Sequence, residues 1–217
     1  MSIFLSIINR HYRFYSYSYW IVVIVGALLW LTKTSPGIFL IVNKWLVPAG
    51  VTFMNLYTNL GEGWFFLLML LLLLVKSKKW AFAGLLSFAV SSGIAQLLKY
   101  RFGTVPRPAN YFAIIHVPIQ VPESVHVLQW QSFPSGHTIS AFALALLVTG
   151  LSRNHLIQLA VLALAIGVGF SRMYLCQHFY RDVFVGMIIG TESAAFTLIL
   201  INYYLKRKNQ TLLTPLF

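Results

Sequence analysis

Two histidines and one aspartate carry the strongest chemical signal in the chain. His178 and Asp182 stand four residues apart, so one helical turn brings the carboxylate and the ring to the same face. A carboxylate there can hold one imidazole nitrogen and leave the other as nucleophile, the logic of a catalytic base and its orienter. His137 is then free to protonate a leaving oxygen as general acid. It follows Pro134-Ser135-Gly136, a run suited to a helix start, where free N–H groups and the positive dipole end favour an anion. Nearby in the chain lie Lys99, Arg101, Arg107 and Arg172. Arginine offers a planar donor fork for phosphate oxygens and lysine a point charge. Any one of these side chains alone would more often be an interfacial anchor or a helix-end residue. As a set, they point to a phosphate-handling site.

The elements that must position this set are apolar. Of 217 residues 59% are hydrophobic and 9% charged, and the only acids are Glu62, Glu123, Asp182 and Glu192. So few charges cannot cover a soluble globule of this length, which makes the chain a membrane protein. A net charge of +12 is compatible with nucleic acid binding, but the basic residues are scattered between apolar blocks rather than gathered on one polar face, so no nucleic-acid partner is expected. The single cysteine, Cys176, excludes a disulfide framework and a thiolate metal cluster. Four carboxylates are too few for a two-metal site of Asp and Glu, so neither a metal nor a cofactor is expected.

A helix needs about 20 mostly apolar residues to cross a bilayer core. Six segments are expected to do so: Tyr15 to Leu31, Trp64 to Val75, Trp80 to Leu98, Ser135 to Leu151, His155 to Phe170 and Val183 to Leu205. Arg10 to Arg13 precede an apolar stretch with bulky aromatics and no small-residue cleavage pattern, unlike a cleaved signal peptide. Six crossings put both termini on one side, with Arg10, Arg13, Lys76, Lys78, Lys79, Arg153, Lys206, Arg207 and Lys208 and no acid among them. The positive-inside rule makes that side cytoplasmic. On the other side, Ile38–Val47 reads as a helix lying at the interface, and residues 99–134 read as loop because they hold Pro106, Pro108, Pro118, Pro122 and Pro134. The phosphate-handling clusters share that non-cytoplasmic face.

Lys99…Arg107-Pro108, then Pro134-Ser135-Gly136-His137, then Ser171-Arg172-x5-His178-x3-Asp182 resembles the three-part signature of the type 2 phosphatidic acid phosphatase (lipid phosphate phosphatase) superfamily. The order and the gaps match over residues 99–182, except that seven residues rather than the usual six separate Lys99 from Arg107. Either the loop carries one extra residue or Arg101 takes part of the lysine's role. The resemblance implies a single all-α domain over residues 1–217, a polytopic membrane protein with six transmembrane helices and cytoplasmic termini. It also implies a metal-independent phosphohistidine mechanism: His178 attacks phosphorus, Asp182 orients it and His137 protonates the leaving group. Lys99, Arg107, Ser135, Gly136 and Arg172 would hold the phosphoryl oxygens. Soluble haloperoxidases share the signature, but the apolar spans argue against that branch. The compact length resembles bacterial members, which implies a cell inner membrane location with the site facing the periplasm.

The expected activity is hydrolysis of a lipid phosphate monoester or diphosphate: undecaprenyl diphosphate, phosphatidylglycerol phosphate, phosphatidate or the phosphates of lipid A. A phosphotransferase passing the same group to a lipid acceptor, or a non-enzymatic lipid transporter, are the alternatives. Glu192 lies about 15 Å further along the last helix than Asp182 at 1.5 Å per residue, and Tyr174 and Tyr180 flank the signature as headgroup contacts or interfacial aromatics.

Overall fold

Helices account for the protein's architecture, and among the described residues there is no strand. The structure, a computed structural model, describes residues 12–207; the expectations for Arg10 and Lys208 lie outside the described residues. In chain order the helices are α1 (Arg13–Thr32), α2 (Ser35–Asn43), α3 (Pro48–Tyr57), a 3-10 turn (Thr58–Gly61), α4 (Gly63–Lys76), α5 (Lys78–Arg101), α6 (Pro108–Ile114), α7 (Gly136–Thr149), α8 (His155–Tyr174) and α9 (Tyr180–Arg207). Local chemistry sets several starts. Thr34 caps α2 and Pro36 occupies its first turn, Ser77 caps α5, Ser135 caps α7, and Asn154 caps α8.

Four helices are long and apolar enough to cross a membrane: α1, α5, α8 and the Tyr180–Leu205 part of α9. The pair formed by α2 and the Pro48–Gly61 segment, bent by 120°, is a fifth candidate. The expected interfacial helix is thus two helices that meet at a sharp angle. The segments expected to cross at Trp64–Val75 and Ser135–Leu151 form helices of 14 residues each, about 21 Å at 1.5 Å per residue. An apolar run of that length marks a buried helix as readily as a span. For α7 the reason is plain, since ten of its residues from Thr138 to Thr149 are buried among the other helices.

The packing of α7 against α9 brings the signature blocks together. A Cβ on Gly186 would lie 2.9 Å from the Ser135 carbonyl oxygen, and one on Gly190 would overlap the Ile139 carbonyl. Two glycines four apart therefore let the α9 backbone close onto α7, a small-residue contact typical of membrane helices. Ser135 N–H donates to the Asp182 carbonyl at 3.1 Å, tying the two helix starts to each other.

The long connection between α5 and α7 forms a roof over those starts. Arg107 N–H donates to Gln129 O (2.8 Å) and Ser132 N–H to Val105 O (3.1 Å). Asn43 at the end of α2 bonds Gln120 reciprocally, Nδ2 to O at 2.7 Å and Gln120 N to Oδ1 at 3.0 Å. Phe39, Phe112, Cys176 and Phe179 pack into one buried cluster, so α2, α6 and the turn before α9 behave as one layer.

Candidate active site

His178 lies in the turn between α8 and α9 and is 2% exposed. Its Nδ1 is 2.6 Å from the Ser132 carbonyl oxygen, and its Nε2 is 3.4 Å from Arg107 Nη1. A carbonyl can only accept and a guanidinium can only donate, so the proton must sit on Nδ1 and the lone pair on Nε2. Burial, with Arg107 close by, pushes the ring down to about 3, so His178 is neutral across the physiological range, with its lone pair on Nε2.

The sequence expects Asp182 to hold that ring directly. The structure keeps it within ion-pair reach of the ring and gives it closer partners as well. Its Oδ2 is 3.7 Å from Nδ1 and accepts shorter bonds from Ser132 Oγ (2.5 Å) and Phe179 N–H (3.0 Å). As the third residue of α9 reaching back to the residue before the helix, it forms half of a capping box. The carboxylate fixes Ser132, and the Ser132 carbonyl fixes the ring.

Arg107 is 3% exposed and firmly held: Nε donates to Trp130 O (2.9 Å), Nη1 to Gln177 O (3.1 Å) and Oε1 (2.9 Å), and Nη2 to Gln131 O (3.4 Å), which leaves one Nη2 N–H to offer a ligand. Burial lowers it to about 10, which still leaves it charged. Arg172, in the last turn of α8, donates from Nη1 to Thr58 Oγ1 at 2.9 Å, and its buried Nε has no partner among the described residues. The Lys99 ammonium reaches the start of α7, 3.7 Å from where a Gly136 Cβ would stand. Arg101 stacks over Phe102 instead, so the extra residue after Lys99 is absorbed without moving the lysine away. Lys99, Arg107 and Arg172 lie close enough to repel one another, a repulsion that a bound anion would relieve. Ser135 Oγ accepts from Thr138 Oγ1 (2.8 Å) and Thr138 N–H (3.4 Å), so its own hydroxyl proton remains to donate.

His137 stands across the site, with Nε2 2.8 Å from Glu62 Oε1. The hydrogen bond to His137 holds the Glu62 carboxyl below its ordinary range, so it is ionised at neutral pH. Glu62 and Ser132 are the two residues that the sequence reading passed over. Glu62 had a signal, as one of four acids and the residue directly before an apolar helix. Ser132 had none, because the group it contributes to His178 is a main-chain carbonyl. Of the other flanking residues, Tyr174 Oη donates to Trp45 O, Tyr180 Oη donates to Gly26 O, and Glu192 faces Tyr19 of α1.

A buried neutral histidine, three cations and a second histidine paired with a carboxylate gather around the starts of α7 and α9, an arrangement able to hold a phosphoryl group. The PAP2 superfamily model matches residues 80–206, and the chain belongs to that superfamily. Its fold is similar to the crystal structure of Aquifex aeolicus LpxE, with 29% identity, TM-score 0.62, and coverage of 74% of this chain and 92% of that one. It is also similar to a transmembrane PAP2-type phosphatidylglycerolphosphate phosphatase from Bacillus subtilis: 22% identity, TM-score 0.57, and coverage of 90% and 97%. No curated protein sequence matches the chain.

Proposed function

We propose that this protein is an integral membrane phosphatase that hydrolyses a lipid phosphate through a phosphohistidine on His178. The carrying observation is the buried, neutral His178 with its Nε2 lone pair beside the Arg107 guanidinium. Phosphorus would be attacked by Nε2. Lys99, Arg107, Ser135, Gly136 and Arg172 would hold the phosphoryl oxygens, and His137 would protonate the leaving oxygen. Membership of the PAP2 superfamily and the likeness to LpxE support a lipid substrate among phosphatidate, phosphatidylglycerol phosphate, undecaprenyl diphosphate and the phosphates of lipid A. The donor set is cationic and needs no metal to neutralise phosphate, so activity is expected to survive excess EDTA and to be inhibited by vanadate.

For topology, we propose six crossings with cytoplasmic termini and a periplasmic site in the inner membrane, on the strength of the basic residues Lys78 and Lys79 at the start of α5 and Arg153 between α7 and α8. The two short helices would cross with the polar roof and site filling the remaining thickness. In a Cys176→Ser background, a cysteine at Ser77 should label only from the cytoplasm and one at Glu123 only from outside.

The test of function is release of inorganic phosphate from purified lipid phosphates in detergent, together with rapid-quench trapping of acid-labile protein-bound phosphate. Turnover without trapped phosphate on histidine would sink the mechanism. Transfer to a lipid acceptor without phosphate release would favour the phosphotransferase.

A further inference from the structure

The turn from Thr58 to Glu62 lies outside residues 80–206, yet it is built onto the site at three points. Thr58 Oγ1 accepts from Arg172 Nη1 at 2.9 Å. A Cβ on Gly61 would lie 2.7 Å from the His137 carbonyl oxygen and 3.0 Å from the His137 Cβ, so only glycine lets the turn sit this close. Glu62 reaches His137 Nε2 at 2.8 Å. Glu62 is also the N-cap residue of α4, where a carboxylate would ordinarily accept from the helix's first N–H groups. Its side chain does not cap the helix and points to the histidine instead.

The charges facing His137 are Glu62 from the start of α4, Arg172 from α8 and Lys99 from α5. Burial of the ring opposes an imidazolium most, and two of the three charges are cations that oppose it too, so Glu62 is the one group that works against them and favours a proton on the ring. Its side chain is 41% exposed and that of His137 21%, so the pair is far more open than the buried His178.

Resting on the phosphatase reading above, we propose that Glu62 is a positioning residue that keeps His137 loaded with a proton, and that it thereby makes the site select phosphate monoesters with an alcohol leaving group over diphosphates. In the first half-reaction His178 Nε2 forms the P–N bond and the P–O bond to the leaving group breaks. The bonding pair goes to the leaving oxygen, and the proton passes to it from His137. An alkoxide is strongly basic, so this oxygen needs that proton as the bond breaks. A diphosphate releases a phosphate anion whose conjugate acid has a pKa of about 6, so it gains much less. That anion would also leave past the Glu62 carboxylate, which repels it. In the second half-reaction water attacks phosphorus, its proton returns to His137, the P–N bond breaks and inorganic phosphate departs.

The experiment compares kcat/KM for dioctanoyl phosphatidate and farnesyl diphosphate, with p-nitrophenyl phosphate as an ester whose leaving group needs no proton, using the full-length protein and its Glu62→Gln and Glu62→Asp variants. Wild type should prefer the monoester. Glu62→Gln should lower kcat on phosphatidate by about 100-fold, within the usual range for a general acid, while KM changes little. Its effect on farnesyl diphosphate and p-nitrophenyl phosphate should be at least about tenfold smaller, and Glu62→Asp should restore part of the phosphatidate rate. An equal loss on all three substrates would make Glu62 merely structural and overturn the proposal. So would equal gains in Glu62→Gln, which would mean that the carboxylate only occupies the place of the substrate. Phosphate release by wild type with an unchanged substrate ratio in Glu62→Gln sinks this inference alone. No release from any lipid phosphate by wild type sinks the phosphatase reading and this inference with it.

Discussion

The two histidines are held in opposite ways. His178 is buried, its Nδ1 satisfied by a main-chain carbonyl, and every group that fixes it (Ser132, Asp182, Arg107, Gln177) comes from residues 80–206. His137 is partly open, and its partner is a half-exposed carboxylate from a turn before that region. Burial suits a nucleophile that must stay neutral and keep one tautomer, since no water competes for the lone pair. Partial exposure suits a group that must gain and lose a proton each cycle.

The largest effect that would break this contrast is at the rings themselves. His178→Ala is expected to abolish both turnover and trapped phosphoenzyme. His137→Ala should lose on the order of 10²–10⁴-fold with alcohol leaving groups yet still form phosphoenzyme from p-nitrophenyl phosphate. Phosphoenzyme that persists in His178→Ala and vanishes in His137→Ala would reverse the roles. Next comes Asp182→Asn, for which a drop in kcat on the order of 100-fold is expected, because an amide cannot accept from both Ser132 Oγ and Phe179 N–H through a charged oxygen.

Ser132→Ala sharpens the comparison further. It keeps the carbonyl that holds His178 but removes the hydroxyl on Asp182, so roughly 2 kcal/mol of stability and about tenfold in kcat should be lost. A loss as large as that of Asp182→Asn would show that the carboxylate acts only through this serine. The smallest effect is in pH-dependent stability. His178 binds a proton far less readily folded than unfolded, so its contribution is present above about pH 6.5 and is lost as pH falls towards 3. At pH 5 that is about 2 kcal/mol relative to pH 7. Thermal unfolding in detergent should therefore fall more steeply with acid in wild type than in His178→Ala.

Much of this arrangement is legible in the residues. The apolar blocks locate the helices α1, α5, α8 and α9, and the spacing of His178 and Asp182 puts both at one helix start. Apolar run length does not report whether a helix faces lipid or protein: α4 and α7 are both apolar and 14 residues long, yet α7 is buried while much of α4 is exposed. The same limit hides the partners within the site. A side chain that acts through its carbonyl, as Ser132 does, leaves no chemical type to read, and the pairing of Glu62 with His137 spans 75 positions. The spacing of Asp182 and His178 places the two within ion-pair reach, but it does not reveal that the same carboxylate oxygen also accepts from Phe179 N–H and Ser132 Oγ.

The roof over the site carries its own reporter. Cys176, the only cysteine, is fully buried where α2, the long connection and the turn before α9 meet, with Sγ donating to Gln120 O at 3.3 Å and accepting from Asn43 Nδ2 at 3.6 Å. Burial pushes its thiol up to about 12, so in the closed molecule it is both shielded and protonated. Its alkylation rate therefore counts openings of this seam: each modification event records one moment when the cover lifted, and a lipid that seals the site should slow the clock.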